Sequence, residues 1–357
     1  MSPFPLWGSE RPQSAADRSE APVTGTRTYG YTNTLDAEHY ARALRADIRT
    51  GLTSTPKSTA PTWFYDARGS ELFEEITQLK EYPLWRAELG LFVLHARDIA
   101  ERTGARSLVE LGSGSSTKTK LILEALGPAG LHYVPVDVSE DALHQAGAHL
   151  VQEYPQLTLH ALRADFTAPL TLPEPPVGAP RLIAFIGSTL GNFRRSVRVP
   201  FLREIRSLMR PEDFLLIGAD LVKDTQEMIA AYDDCEGVTA QFNKNLLYVL
   251  NRELDADFEP DAFEHRAVWN DAEQHIEMRL RSLTEQRVSV RQLGLTVHFD
   301  RGEEWITERS AKFTTDGLRS ELTAAGLQTD QVWADSEAGF AVTLATAHRA
   351  GPRIVRR

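Results

Sequence analysis

The chain is 357 residues long, which at roughly 150 residues per domain suggests two domains with room for a tail. Its 42% hydrophobic and 25% charged residues are ordinary globular composition and exclude disorder of the whole chain. With 39 Lys and Arg against 50 Asp and Glu, the formal charge of −11 lacks the basic footprint that nucleic acid or an anionic membrane requires.

Residues 1–33 read as a flexible N-terminal extension. Pro3, Pro5, Pro12 and Pro22 sit among Ser, Ala, Gly and charged residues with no sustained period. A docking peptide could be built on Phe4, Leu6 and Trp7, but a dispensable extension is the simpler reading. From about 36 to 100 the pattern is helical, broken around Pro56 to Pro61, with Leu72, Phe73, Ile76 and Leu79 at helical spacing. Short apolar runs then alternate with amphipathic stretches. The runs are Ser107–Leu111, Tyr133–Val136, Leu157–Leu162, Leu182–Ile186 and Phe214–Ile217; helical segments lie near 117–126, 139–152 and 196–210. That alternation predicts βαβ units and a mostly parallel, doubly wound sheet.

After about 222 the texture changes. Helical stretches at Thr225–Tyr232 and Val238–Glu253 precede period-two segments at His275–Arg281, Val288–Val290, Thr296–Phe299 and Glu304–Phe313. These predict an antiparallel sheet with one wet face. The expected class is α/β, with a second, discontinuous α+β domain. The expected division is 1–33 extension, 34–86 second domain, 87–222 central α/β domain and 223–350 second domain again. Cys235 is the only cysteine, so no intrachain disulfide and no Cys-based zinc site can form. No run approaches the roughly 18 apolar residues of a membrane helix, and no secretion signal is visible, so a cytoplasmic protein is expected. No metal is expected: Asp255, Asp257, Glu259 and Asp261 alternate, but Pro260 replaces the glycine of a calcium loop and Arg266 replaces its last acid.

The segment Val109-Glu110-Leu111-Gly112-Ser113-Gly114 joins the first strand of the central domain to its first helix. Glycines there let a ligand approach the backbone, and the helix N-terminus offers free N–H groups. The dinucleotide fingerprint wants a third glycine where Thr117 stands. An acid just before the glycines is instead the habit of Rossmann-like S-adenosylmethionine (SAM) enzymes. Asp137 ends the second strand, 25 residues after Gly112, where an acid accepts hydrogen bonds from ribose hydroxyls. Asp165 and Phe166 follow the third strand and can meet an adenine amine and cover its face. Lys118 suits an anion, carboxylate or phosphate alike.

The chain resembles the histidine Nα-methyltransferases of ergothioneine biosynthesis, which make hercynine. The resemblance runs from about Ala37 to Thr343. It is carried by Trp63-Phe64-Tyr65-Asp66, Gly69-Ser70-Glu71-Leu72-Phe73, Glu110-Leu111-Gly112-Ser113-Gly114, Gly187-Ser188-Thr189-Leu190-Gly191-Asn192, Asp220-Leu221-Val222-Lys223-Asp224, Ala231-Tyr232-Asp233-Asp234, Phe242-Asn243-Lys244-Asn245 and Glu308-Arg309-Ser310-Ala311-Lys312-Phe313. It implies a Rossmann-like SAM-dependent methyltransferase domain whose Gly112, Lys118, Asp137, Asp165 and Phe166 contact SAM. It implies histidine binding by Tyr65, Tyr82, Gly187, Asn192, Tyr232, Met278, Glu308 and Ser310, with Tyr65, Asn192 and Tyr232 as the catalytic set. It also implies a small-molecule substrate and a monomer. The family's common Glu-Tyr-Tyr-Pro-Thr-Arg is here Glu81-Tyr82-Pro83-Leu84-Trp85-Arg86; Pro83 restricts the backbone of Tyr82.

Glu308 and Ser310 lie two apart on a period-two segment and share one face. A carboxylate beside a hydroxyl can hold both nitrogens of an imidazole. Met278 lies on one face with Ile276 and Leu280, and its thioether can wall a flat ring. The alternatives are methylation of another aromatic amino acid, a non-catalytic SAM-binding regulator, and an NAD oxidoreductase. An indole acceptor offers one N–H and would leave Glu308 poorly satisfied.

Overall fold

The computed structural model describes residues 29–114, 116–174 and 178–347. It opens with β1 (Tyr29–Asn33) and three helices, α1 (His39–Thr53), α2 (Ala67–Gln78) and α3 (Leu84–Thr103). An alternating series follows: β2 (Ser107–Leu111), α4 (Thr119–Leu126), β3 (His132–Asp137), α5 (Glu140–Glu153), β4 (Thr158–Arg163), β5 (Arg181–Phe185), α6 (Arg195–Leu208) and β6 (Phe214–Asp220). Two helices, α7 (Thr225–Ala230) and α8 (Val238–Leu254), lead to β7 (Phe263–Asn270), β8 (His275–Ser282), β9 (Gln286–Val290), β10 (Leu295–Phe299) and β11 (Glu304–Ala311). The described chain closes with α9 (Thr315–Ala324), β12 (Leu327–Asp335) and β13 (Phe340–Ala347).

The main sheet has eight strands in the order β1-β4-β3-β2-β5-β6-β13-β12. β1 to β6 run parallel, and β13 returns antiparallel to β6. This is a Rossmann-like α/β sheet. Its strands β2 and β5 are buried along their whole length, which is why they read as apolar runs. Side chains alternate between two cores. Leu108, Leu182 and Leu216 point to the face covered by α3 and α4, while Val109, Ile183 and Leu215 point to the face covered by α6 and α9. The chain steps outward from β2 through β3 to β4, then restarts on the other side at β5, so a crevice opens at the carboxyl ends of β2 and β5.

The second sheet is smaller than the sequence suggested. β11, β8 and β7 form one antiparallel sheet, and β9 and β10 a separate hairpin. Phe258 stacks on Trp305 at 5.7 Å and Phe263 meets Phe299 edge-on at 5.3 Å beneath them. Two expectations need correction. Tyr29–Asn33, assigned to the N-terminal extension, is a strand paired with β4; residues 1–28, with Phe4, Leu6 and Trp7, lie outside the described residues. The stretch 223–350 does not all stay with the second sheet, because β12 and β13 rejoin the main one. β13 is almost fully buried and so lacks the alternation that marks a half-wet strand.

The turn from Phe64 to Gly69, leading into α2, has a steric cause. Asp66 caps α2 by accepting from the Gly69 N–H at 2.9 Å, and Asn245 donates to Asp66 at 2.8 Å and to the Phe64 carbonyl at 3.2 Å. A Cβ on Gly69 would lie 1.7 Å from the Phe64 oxygen. Gly69→Ala is therefore expected to cost about 3 kcal/mol, read as a lowered urea midpoint; a midpoint unchanged from the parent would show that the turn relaxes freely.

Candidate active site

The carboxyl ends of the parallel strands carry the cofactor candidates. Gly112 follows β2 at φ 72°, and a ring carbon of Phe166 lies 3.4 Å from where its Cβ would stand. Phe166 thus closes over a backbone that only glycine keeps bare. Asp137 ends β3; one of its oxygens accepts from the Gly114 N–H at 3.1 Å and the other from the Ser139 N–H at 2.9 Å. Ser139, not Asp137, caps α5, by accepting from the Ala142 N–H at 3.2 Å. Each Asp137 oxygen therefore keeps acceptor capacity for a hydroxyl, and burial pushes its carboxyl up. These features fit a nucleoside with a ribose diol and a flat base.

Asp165 and Lys118 are less free than their sequence positions suggested. One Asp165 oxygen accepts from the Thr167 N–H at 2.8 Å and its hydroxyl at 2.6 Å; the other lies 3.4 Å from His39 Nε2. Lys118 is paired with the Glu88 carboxylate rather than waiting for a ligand anion. Glu88, from the middle of α3, also accepts from the Gly187 N–H at 2.8 Å. It reaches that position across Gly218, where a Cβ would lie 1.8 Å from its oxygen. Sequence reading passed over Glu88; the available signal was an acid among Leu84, Ala87, Leu91 and Phe92 on a buried helix face.

A pocket lies beside this crevice, lined by Tyr65, Phe73, Tyr82, Tyr232, Phe242, Met278 and Glu308 among others. Tyr65 meets Phe242 edge-on at 5.4 Å, and Tyr82 meets Tyr232 edge-on at 6.1 Å. Tyr65 is 45% exposed. Pro83 stands at the N-cap of α3, and Arg86 donates to the Leu79 carbonyl at 2.7 Å and the Lys80 carbonyl at 3.0 Å. The altered Tyr82-Pro83-Leu84 step therefore still delivers the Tyr82 ring to Tyr232.

Glu308 sits opposite Met278 across β11 and β8, just past a bulge at Thr307. The Thr307 hydroxyl donates to the Asn243 oxygen at 2.6 Å, and the Asn243 amide donates to His265 Nδ1 at 2.8 Å. The opposite ring nitrogen, Nε2, donates to the Tyr232 carbonyl at 2.8 Å. Burial holds the His265 imidazole below its ordinary range, which suits this neutral relay. Tyr232 donates its hydroxyl proton to Ser310 at 2.8 Å. Gly187 and Ser188, both left-handed at φ 75° and 57°, lead into the turn Thr189–Asn192. That turn packs on the end of β11: a Cβ on Gly191 would lie 2.8 Å from the Ala311 carbonyl. Among the described residues, neither the Asn192 amide nor the Glu308 carboxylate has a hydrogen-bond partner.

The phenols of Tyr65, Tyr82 and Tyr232 are all pushed up, by burial first and then by neighbouring negative charge. They stay protonated at neutral pH and can donate hydrogen bonds, but none serves as a phenolate base. Burial pushes the Glu308 carboxyl up to about 7, against the pull of the Lys312 ammonium. The pocket thus offers an aromatic box and one acid poised near neutrality. Sequence reading also missed Phe242, Asp220 and Lys312 as parts of this region. Lys312 was in reach, being two residues beyond Ser310 on the same alternation.

The chain matches the family described as histidine-specific, SAM-dependent methyltransferases over residues 44–347. It is 47% identical over 320 residues to the histidine N-alpha-methyltransferase of Mycolicibacterium smegmatis, covering 89% of this chain and 99% of that one. It is 48% identical over 312 residues to the protein of the same name from Mycobacterium tuberculosis, covering 87% and 96%. Ergothioneine biosynthesis protein 1 of Neurospora crassa is 33% identical over 222 residues, 58% of this chain and 25% of that much longer one.

The raised Glu308 carboxyl has a signed consequence for stability. Folding binds its proton more tightly than the unfolded chain does, so stability is fullest below about pH 4.5 and is lost as pH rises toward 7. Glu308→Gln escapes that loss. It is expected to be more stable than the parent by on the order of 3 kcal/mol at pH 8, the gain shrinking toward pH 5. Urea midpoints at the two pH values check this; an equal difference at both would show that the carboxylate is well solvated.

Proposed function

The chain belongs to the SAM-dependent, histidine-specific methyltransferases, and we propose that it trimethylates the α-amine of L-histidine to give hercynine, the first step of ergothioneine biosynthesis. The observation that carries this reading is the unpartnered Glu308 carboxylate in an aromatic pocket, with Ser310 two residues further along the same face of β11. That pair matches the two nitrogens of an imidazole, which no other common amino-acid side chain offers.

SAM supplies an activated methyl on a sulfonium that is already a good leaving group. In this reading Asp137 takes the ribose hydroxyls, the Gly112–Gly114 backbone takes the cofactor's nearer part, and Phe166 with Asp165 takes the adenine. Lys118 contributes through Glu88, which holds the Gly187 N–H beside the crevice. Glu308 and Ser310 hold the imidazole against Met278. Tyr82 holds the substrate carboxylate, Tyr232 offers the amino-acid head its ring face because its hydroxyl proton goes to Ser310, Asn192 orients that head, and Tyr65 stands near the amine. The amine must be neutral to react, because an ammonium has no lone pair. With every phenol raised, its proton leaves through water rather than to a tyrosinate. Successive methylations build a fixed cation, which the tyrosine faces stabilise by about 0.5–2 kcal/mol. The larger part of catalysis is alignment of nitrogen, methyl and sulfur.

We take a single chain as the working unit, since every proposed contact comes from within it. The second domain in this reading comprises 34–86 and the chain from 223 to β11. Among the described residues no helix is long and apolar enough to cross a membrane. Cytoplasmic placement is part of the proposal and is supported by the lone, exposed Cys235 thiol.

Incubation of the pure protein with SAM and each of the twenty amino acids, read by mass, is expected to add three methyls to histidine, all on the α-nitrogen. Methylation confined to the ring, or turnover of tryptophan without histidine, would overturn the reading. Asp137→Ala is expected to weaken SAM by about 1.5–3 kcal/mol per lost charge-assisted bond with the fold intact. Calorimetry giving parental SAM affinity would reduce Asp137 to a loop anchor for Gly114 and Ser139.

A further inference from the structure

Lys312 lies just beyond β11, its side chain wholly enclosed, and its ammonium has three donors with three takers. It donates to Asp220 at 2.8 Å, to the Tyr232 hydroxyl oxygen at 2.9 Å and to the Ser310 hydroxyl oxygen at 3.0 Å. It also sits 4.5 Å from the centre of the Tyr232 ring. Asp220 is held from its other oxygen by Lys223 at 2.7 Å, so its orientation is fixed from both sides.

Tyr232 accepts from Lys312 and so gives its own proton to Ser310 at 2.8 Å. Ser310 then accepts twice, from Lys312 and from Tyr232, and a hydroxyl oxygen has two lone pairs. Both are spent. Its own hydrogen has no acceptor among the described residues, and it lies on the Glu308 face of β11. The ligand therefore meets a donor at Ser310 and an acceptor at Glu308.

We propose that Lys312 is a positioning residue which, anchored by Asp220, locks Ser310 as a donor, so that the pocket selects the neutral imidazole in one tautomer. This rests on the reading of the pocket as the histidine site. A neutral ring carries one N–H for Glu308 and one bare nitrogen for Ser310. An imidazolium carries two N–H groups and no acceptor, so one of them would face the Ser310 hydrogen. Phenyl and indole rings fail at the same point, because neither offers a bare ring nitrogen.

The test is nitrogen NMR of ring-labelled histidine bound to the complex of the parent protein with S-adenosylhomocysteine at pH 7.5. The expected result is one protonated and one bare ring nitrogen, each in a single fixed state. Two protonated nitrogens, or two nitrogens averaging between tautomers, overturn the proposal. Lys312→Met frees a lone pair on Ser310; the bound ring should then lose its fixed tautomer, and histidine Kd should rise roughly tenfold while SAM affinity holds. Ser310→Ala should produce the same loss of signature, and the double variant should weaken histidine no more than either single change. Should Lys312→Met not fold, the parent spectrum and Ser310→Ala decide the matter alone. A parental spectrum and parental Kd in Lys312→Met, or additive losses in the double variant, overturn the role of Lys312. Failure of histidine to bind the parent complex at all overturns the reading of the pocket, and this proposal with it.

Discussion

The buried ion pair between Asp220 and Lys312 is where the two halves of the site are joined. Asp220 is the last residue of a strand in the main sheet; Lys312 follows the last strand of the second sheet. The backbone follows the side chains at this junction: the Phe313 N–H donates to the Asp220 carbonyl, and the Val222 N–H to the Phe313 carbonyl, at 2.8 and 2.9 Å. Desolvating two charges often cancels their attraction, so the pair is a poor candidate for net stabilisation. Its effect is registration. Loss of Asp220 would leave the Lys312 ammonium without a counter-charge in the seam, so the two sheets dock in the arrangement that keeps it satisfied.

From that seam the geometry spreads in two directions. On one side, Ser188 accepts from the Asp220 N–H at 3.0 Å, which ties the Gly187–Asn192 turn to β6. The same turn is gripped from beneath by Glu88 and from above by Ala311. On the other side, Tyr232 and Ser310 are fixed by Lys312, and Tyr232 is held again through its carbonyl by His265. The chain Thr307, Asn243, His265, Tyr232 runs behind the pocket and secures the bulge that aims Glu308. Few pocket side chains are left to find their own rotamers, and alignment of reacting atoms depends on that.

The pocket is also built against its own stability. Glu308 is enclosed without a hydrogen-bond donor, and three phenols are crowded round it. A ligand with a ring N–H relieves the carboxylate, whereas one without it leaves the desolvation uncompensated. Selectivity of this kind comes from a group that the folded protein holds unsatisfied, and such sites discriminate more sharply than apolar ones do.

The sequence determined the parallel core of the main sheet, because strands buried on both faces are mostly apolar, and β2, β5 and β6 stand out for that reason. It determined the Glu308 and Ser310 pair, since a period of two needs no tertiary knowledge to put both on one face. The family motifs located the rest of the pocket. Tertiary structure alone decided four things. β1, β12 and β13 joined the main sheet; β1 is a five-residue edge strand and β13 is almost fully buried but carries Thr343 and Thr346, so neither shows a clean alternation or an unbroken apolar run. Lys118 was claimed by Glu88, a pairing across 30 residues that no local pattern announces. His265 became a neutral relay through burial, not through its neighbours in sequence. Lys312, which the sequence shows within a motif but with no partner, met Asp220 from another sheet. Local periodicity fixes which way a side chain points, but only packing fixes what it meets there.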